Sequence, residues 1–72
     1  MPYYYVNSNQ QPITSDHEVH QATGCPHPVE RQNRLDLGFF SSCHGAVAKA
    51  RLRYPHWRIN GCAYYSPECH TT

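Results

Sequence analysis

A chain of 72 residues forms one small domain, residues 1–72, whose core is too thin to be stable without a staple. A disulfide, a bound metal or a partner chain usually supplies that staple, and this chain carries four cysteines and six histidines. The formal net charge of +1 gives no strong electrostatic field, which argues against nucleic acid or an anionic membrane as the main partner.

The first half of the chain predicts a loose β-hairpin. Residues 3–7 are aromatic and β-branched, as strands often are, and their alternation points Tyr5 and Val6 to opposite faces. Residues 7–12 have the composition of a turn. Residues 18–21 then form a second short strand, which would pair with the first.

The sequence predicts one helix, whose interior is residues 44–53. Ser41 or Ser42 is its N-cap, and Pro55 ends it. Apolar residues recur at the helical period on one face: Cys43, Val47, Ala50 and Tyr54. This face is expected to pack on a sheet.

Two further strands flank the helix in sequence. The first covers residues 37–40, with Gly38 as a bulge. The second covers residues 62–65 and follows an Asn60-Gly61 turn. The predicted fold class is therefore α+β: a small antiparallel sheet of three to four short strands with one packed helix, stapled by cysteines.

Cysteine and histidine residues form the candidate metal site. Structural zinc takes four tetrahedral ligands, thiolates and imidazoles above all. The segment from His20 to Cys25 would supply one arm of the site, and the segment from Cys62 to His70 the other. One structural zinc is thus the predicted cofactor, with ligands drawn from Cys25, Cys62, Cys69, His20 and His70.

Two other states of the cysteines stay open. In one, the four cysteines form two disulfides, each worth about 2–4 kcal/mol, and Cys43 bridges from the first helical turn to the segment from Cys62 to Cys69. In the other, they are buried thiols that pack as small hydrophobic groups. Disulfides require an oxidising compartment.

The start of the chain predicts a cytoplasmic protein. Met1-Pro2-Tyr3 has neither the basic nor the apolar region of a signal peptide. No apolar run approaches the roughly 20 residues of a membrane-spanning helix. The cytosol is reducing, so metal or thiols are favoured there over disulfides.

A basic segment near the end of the helix is the candidate surface-binding site. It comprises Lys49, Arg51, Arg53, Arg58 and Trp57, where the cations would contact phosphates and the indole would stack on a base. At this net charge, a solvated helix face and a core tryptophan are the simpler interpretation. We also expect no enzyme, because so short a chain seldom houses both a nucleophile and an oxyanion site.

Several short segments carry a resemblance to known proteins: Tyr3-Tyr4-Tyr5-Val6-Asn7, His17-Glu18-Val19-His20, Leu37-Gly38-Phe39, Asn60-Gly61-Cys62 and Cys69-His70-Thr71. In these the chain resembles a family of short, uncharacterised bacterial proteins, which implies no activity. It is more distantly similar to small zinc-binding β-ribbon modules, which have an arm like Val19 to Cys25 and a closing Gly-Cys-x2-Cys. Tyr65 stands where the second cysteine of that pair would be, so Cys69 or His70 would have to replace it.

The sequence therefore predicts a small non-enzymatic module, held by a structural zinc or by cysteine staples, that interacts with an unidentified protein partner. A disulfide-stapled interaction protein without metal is the first alternative. Weak nucleic-acid binding through the basic end of the helix is the second.

Overall fold

The computed structural model describes residues 2–10, 15–22, 30–62 and 67–70. Its strands are β1 (Tyr3–Asn7), β2 (His17–Gln21), β3 (Arg34–Phe39) and β4 (Ile59–Gly61), and its α-helix is α1 (Cys43–Arg53). Two short 3-10 helices lie at Arg31–Asn33 and Pro67–Cys69. The strands form one sheet in the order β3-β1-β2-β4, with α1 packed on it. This confirms the predicted α+β class.

The central hairpin of β1 and β2 is the one that the sequence predicts. The two strands are antiparallel, and Tyr5 lies opposite His20 while Val6 lies opposite Val19. Because side chains alternate along a strand, Tyr5 and His20 share one face of the sheet and Val6 and Val19 share the other. The face of Val6 and Val19 is the one that α1 covers.

Strand β3 is longer than predicted and contains the predicted bulge. Its pairing with β1 begins at Arg34, three residues before the predicted start at residue 37. The register then shifts between Asp36 and Gly38, and Gly38 has a φ of +110°. Glycine is the residue that adopts this left-handed region without a steric cost, so the bulge is located there for a physical reason.

Strand β4 corrects the sequence prediction in two ways. It includes Asn60 and Gly61, which were expected to form a turn, and it pairs with β2 in parallel, so the sheet is mixed rather than wholly antiparallel. The chain reaches β4 after crossing the sheet through α1, the kind of connection that parallel strands require. The predicted strand at residues 62–65 falls mostly on residues that the structure does not describe.

A buried polar contact explains why Asn60 serves in a strand. Asp16 is buried, and its carboxylate accepts hydrogen bonds from Arg58 Nε at 3.0 Å and from Asn60 Nδ2 at 3.3 Å. The Asn60 side-chain oxygen in turn accepts the Gly61 backbone N–H at 3.0 Å. These contacts outweigh the local preference of Asn-Gly for a turn.

Helix α1 begins directly after Ser42, one of the two predicted N-caps, and ends before Pro55. The Tyr54 N–H closes it by donating to the Ala50 carbonyl at 2.8 Å. Its predicted apolar face packs against the sheet, and the joint core consists of Tyr4, Val6, Val19, Leu37, Cys43, Ala46, Val47, Ala50, Ile59 and Cys69. Within the described ranges, no helix has the length and apolarity needed to cross a membrane.

Candidate metal centre and disulfide

A disulfide between Cys43 and Cys69 joins the start of α1 to the 3-10 helix Pro67–Cys69. The S–S distance is 2.01 Å, the Cα atoms are 6.3 Å apart, and the bridge spans 26 residues of sequence. Cys43 thus bridges to the segment that the disulfide alternative named. In this state the Cys69 sulfur offers no thiolate to a metal, so the predicted zinc set does not assemble with Cys69 as a member.

Gly61 lets the bridged segment approach the sheet. A Cβ atom on Gly61 would lie 2.6 Å from the Cys69 Cβ and 2.9 Å from its carbonyl carbon, closer than real atoms pack. The 3-10 helix therefore rests directly on the backbone of β4. Both Cys43 and Cys69 are buried, so this contact belongs to the core.

The candidate metal centre lies on the opposite face of the sheet and consists of Glu18, His20 and Cys62. Glu18 and His20 are two residues apart on β2, which places their side chains on one face. Cys62 directly follows β4, and its N–H donates to the Val19 carbonyl at 2.9 Å. The parallel pairing of β2 and β4 thus carries the sulfur to the two other side chains.

The three ligand atoms of this centre are close enough to share one ion. They all lie within 4.8 Å of one another, and His20 Nε2 is 3.7 Å from Glu18 Oε1. On a tetrahedral zinc with bonds of 2.0–2.3 Å, ligand atoms are separated by about 3.3–3.8 Å. Small side-chain rotations therefore suffice to bring the oxygen, nitrogen and sulfur onto a metal.

Burial and ring packing hold the imidazole of the centre in place. His20 and Cys62 are each 3% exposed, and Glu18 is half-buried. The Tyr5 ring stacks on the His20 ring at a centroid distance of 5.5 Å, and the Arg34 guanidinium lies 4.8 Å from the Tyr5 centroid. A ligand fixed in this way loses little conformational entropy when it binds a metal.

Of the other predicted metal ligands, the described ones, Cys69 and His70, are not part of this cluster. Cys25 lies outside the described residues. His70 is half-buried, and its Nδ1 is 2.9 Å from the Gly61 carbonyl oxygen, to which it donates. His70 thus binds the backbone beside Cys62 and does not join the group of ligand atoms. Glu18 was missed by the sequence analysis, although its spacing from His20 on a strand was a signal for it.

The basic segment holds its tryptophan in a stack of three aromatic rings. Trp57 lies between His17 and Tyr54, whose rings are nearly parallel to the indole at centroid distances of 3.8 and 4.4 Å. Two rings whose centroids lie this close to the indole centroid do not fit side by side on one face of the indole. The His17 and Tyr54 rings therefore cover opposite faces. Arg58 is engaged by Asp16, and the remaining cations, Lys49, Arg51 and Arg53, are exposed on α1.

Two tyrosines have pKa values that are raised by their surroundings. Burial raises the pKa of the Tyr4 phenol, and the negative charge of Glu68 raises that pKa further. Desolvation also raises the pKa of Tyr3, whose hydroxyl donates a hydrogen bond to Asp36. The Glu68 carboxylate therefore lies close enough to the Tyr4 phenol to disfavour its ionisation.

Comparisons of the chain with protein-family models, with curated proteins and with solved structures found no match. The observations that bear on function are therefore those of the chain itself. The resemblance to short bacterial proteins and to zinc-binding β-ribbon modules stays a prediction.

Proposed function

We propose that the protein is a small non-enzymatic module that binds one structural zinc ion through Glu18, His20 and Cys62. The observation that carries this proposal is the convergence of three ligand atoms of different types within 4.8 Å. Zinc accepts this mixture of carboxylate, imidazole and thiolate, whereas calcium and magnesium take oxygen ligands.

A structural role is favoured over a catalytic one by the burial of the centre. Structural zinc sites are closed by protein ligands, and catalytic sites keep one position open to water or substrate. His20 and Cys62 are each 3% exposed, which leaves little access for a substrate at their side of the ion. The ion would tie β2 to the chain that leaves β4, an edge strand of three residues.

The fourth ligand is proposed to be Cys25. It follows β2 by four residues, and the sequence predicted it as a ligand together with His20. A second thiolate would give the centre one carboxylate, one imidazole and two sulfurs, a donor set that zinc holds tightly. Substitution of Cys25 is expected to weaken zinc binding as substitution of Cys62 does.

The proposal is tested by the intact mass of the purified protein with a zinc assay. Under native conditions we expect the mass of one zinc, lost on denaturation, together with a deficit of two hydrogens from the bridge. Cys62→Ser and His20→Ala should each remove the zinc. His56→Ala, which changes an exposed histidine elsewhere, should retain it. Absence of zinc from the wild-type protein, or its retention in Cys62→Ser, would refute the metal centre.

The second half of the proposal is interaction with a protein partner. Phe39 is 63% exposed on β3, which is an edge of the described sheet, and its ring packs edge-on against Tyr3 at 4.9 Å. Apolar side chains exposed at a sheet edge are typical of surfaces that meet another chain. The same feature supports the alternative of a disulfide-stapled interaction protein without metal, which the zinc assay distinguishes.

A further inference from the structure

We propose that Cys43, His44 and Cys69 form a second zinc site, which becomes available when the disulfide is reduced, with Glu68 as the fourth ligand. This inference uses none of the residues of the centre on the other face of the sheet. It therefore stands or falls independently of the function proposed above.

The ligand atoms of this second site already converge in the bridged protein. The two sulfurs and a ring nitrogen of His44 all lie within 4.8 Å of one another. His44 follows Cys43 in the first turn of α1 and is exposed, so its imidazole is free to turn toward the sulfurs. Two thiolates and an imidazole are a common zinc donor set.

Opening the bridge requires only a small change in the position of the sulfurs. Two thiolates on a tetrahedral zinc are about 3.8 Å apart, given Zn–S bonds of about 2.3 Å. Rotation about the two Cα–Cβ bonds provides this separation while the Cα atoms stay near their present 6.3 Å.

The fold holds both cysteines in place by contacts other than the bridge. Cys43 is 1% exposed and packs in the core on the buried face of α1. Cys69 rests on the backbone of Gly61, where a side chain would not fit. Reduction therefore leaves the two thiols facing each other, which is the arrangement that a metal needs.

A cavity beside the bridge supplies room and a fourth ligand. Its volume is about 170 Å³, and its lining includes His44, Glu68, Cys69 and Arg51. With two thiolates, one carboxylate, one zinc ion and one guanidinium, the charges of the occupied site sum to zero. A balanced site of this kind avoids the cost of an uncompensated charge at the edge of the core.

The chemistry balances with a dithiol as the reductant. Thiol–disulfide exchange converts the Cys43–Cys69 bridge to two thiols while the dithiol becomes a disulfide. Zinc then displaces one proton from each thiol and binds the two thiolates. The metal replaces the covalent link, so α1 stays tied to the 3-10 helix in a reducing compartment as well as in an oxidising one.

The test compares zinc binding by a Cys62→Ala variant before and after reduction. Binding is measured by competition with a chromophoric chelator, first on the bridged protein and then after treatment with a phosphine under nitrogen. We expect the reduced variant to bind one zinc more than the bridged variant. An equal stoichiometry in the two states would overturn the inference.

A pair of histidine variants makes the test specific. In the reduced Cys62→Ala background, His44→Ala should lower zinc affinity at least tenfold, whereas His56→Ala should leave it unchanged. Both histidines are exposed, so neither change threatens the fold. Equal affinities in the two variants would contradict the assigned ligand. Zinc binding by the bridged wild-type protein reports on the other centre alone, which separates failure of that function from failure of this inference.

Discussion

The two faces of the sheet are closed by different chemistry. The face under α1 is an apolar core of valines, alanines and a leucine, and a disulfide locks its edge. The opposite face buries Tyr5, His20 and Cys62 beside the carboxylate of Glu18. Apolar side chains gain free energy from burial alone, whereas buried polar groups must be compensated by hydrogen bonds, charges or a metal.

This difference assigns separate roles to the cysteines. Cys43 and Cys69 face the helix side and reach each other. Cys62 is only one residue past Gly61, which touches Cys69, yet the alternation of the chain sends it to the other face. The covalent staple and the candidate metal centre thus lie back to back across β4, and each can be removed without the other.

Removal of the disulfide should have the largest effect on stability. A bridge that spans 26 residues is expected to contribute about 3.5 kcal/mol to the free energy of unfolding by restricting the unfolded chain. The double variant Cys43→Ala/Cys69→Ala should lose about this amount in urea denaturation with zinc held constant. A loss below about 1 kcal/mol would show that the bridge does not staple the helix face.

Zinc should stabilise the other face by a smaller amount. At a free concentration of one hundred times the dissociation constant, the ion adds about 2.7 kcal/mol to the free energy of unfolding. The gain should vanish in Cys62→Ser and persist in the double variant that lacks the bridge. If the double variant also loses the stabilisation by zinc, the two faces are not independent.

A side chain at Gly61 should destabilise the face of the sheet that carries the disulfide, by a somewhat smaller amount. Gly61→Ala forces a Cβ into the side chain and backbone of Cys69 and is expected to cost about 2 kcal/mol. Gly45→Ala is the comparison variant, because its Cβ meets side-chain atoms of Phe40, the nearest at 2.9 Å, and no backbone, and because alanine favours the helix. We expect it to lose clearly less stability than Gly61→Ala in thermal denaturation. Equal losses in both variants would argue against a special contact at Gly61.

The buried carboxylate of Asp16 should have a moderate effect. Asp16→Asn removes the charge that Arg58 pairs with and is expected to cost about 1–2 kcal/mol. Glu30→Gln, an exposed acidic residue, should change stability by less than about 0.5 kcal/mol. Urea denaturation of the two variants measures both values. A neutral Asp16→Asn would show that these hydrogen bonds do not hold β4 in the sheet.

The smallest expected effect is a loss of stability at high pH that depends on Tyr4. Its pKa in the folded protein is raised above the usual value of about 10, so the folded state holds the proton more tightly than the unfolded state. Stability is therefore complete below about pH 10 and falls as the pH rises through the folded-state pKa. Tyr4→Phe should flatten this fall, as measured by urea denaturation at a series of alkaline pH values. An unchanged pH dependence in Tyr4→Phe would contradict the assignment.

Local patterns were sufficient for the elements whose neighbours in space are also neighbours in sequence. Residues 3–7 and the helix were predicted to within a residue, because alternation, period and the Pro55 stop are properties of the segment itself. Asn60 was misassigned because its partner Asp16 is 44 residues away and no local pattern shows that contact. The candidate ligand Glu18 was missed although it lies two residues from His20, because the position of Cys62 beside them is set by the parallel pairing of β2 and β4.

Cobalt titration of the bridged protein is the most direct test of the metal centre formed by Glu18, His20 and Cys62. Cobalt occupies zinc sites, and a thiolate ligand gives it an intense charge-transfer band in the near ultraviolet. We expect that band at one equivalent of cobalt in the wild-type protein, in the double variant Cys43→Ala/Cys69→Ala and in His56→Ala. The band should be absent in Cys62→Ser. No band in the wild-type protein, or an undiminished band in Cys62→Ser, would show that Glu18, His20 and Cys62 do not form a metal centre.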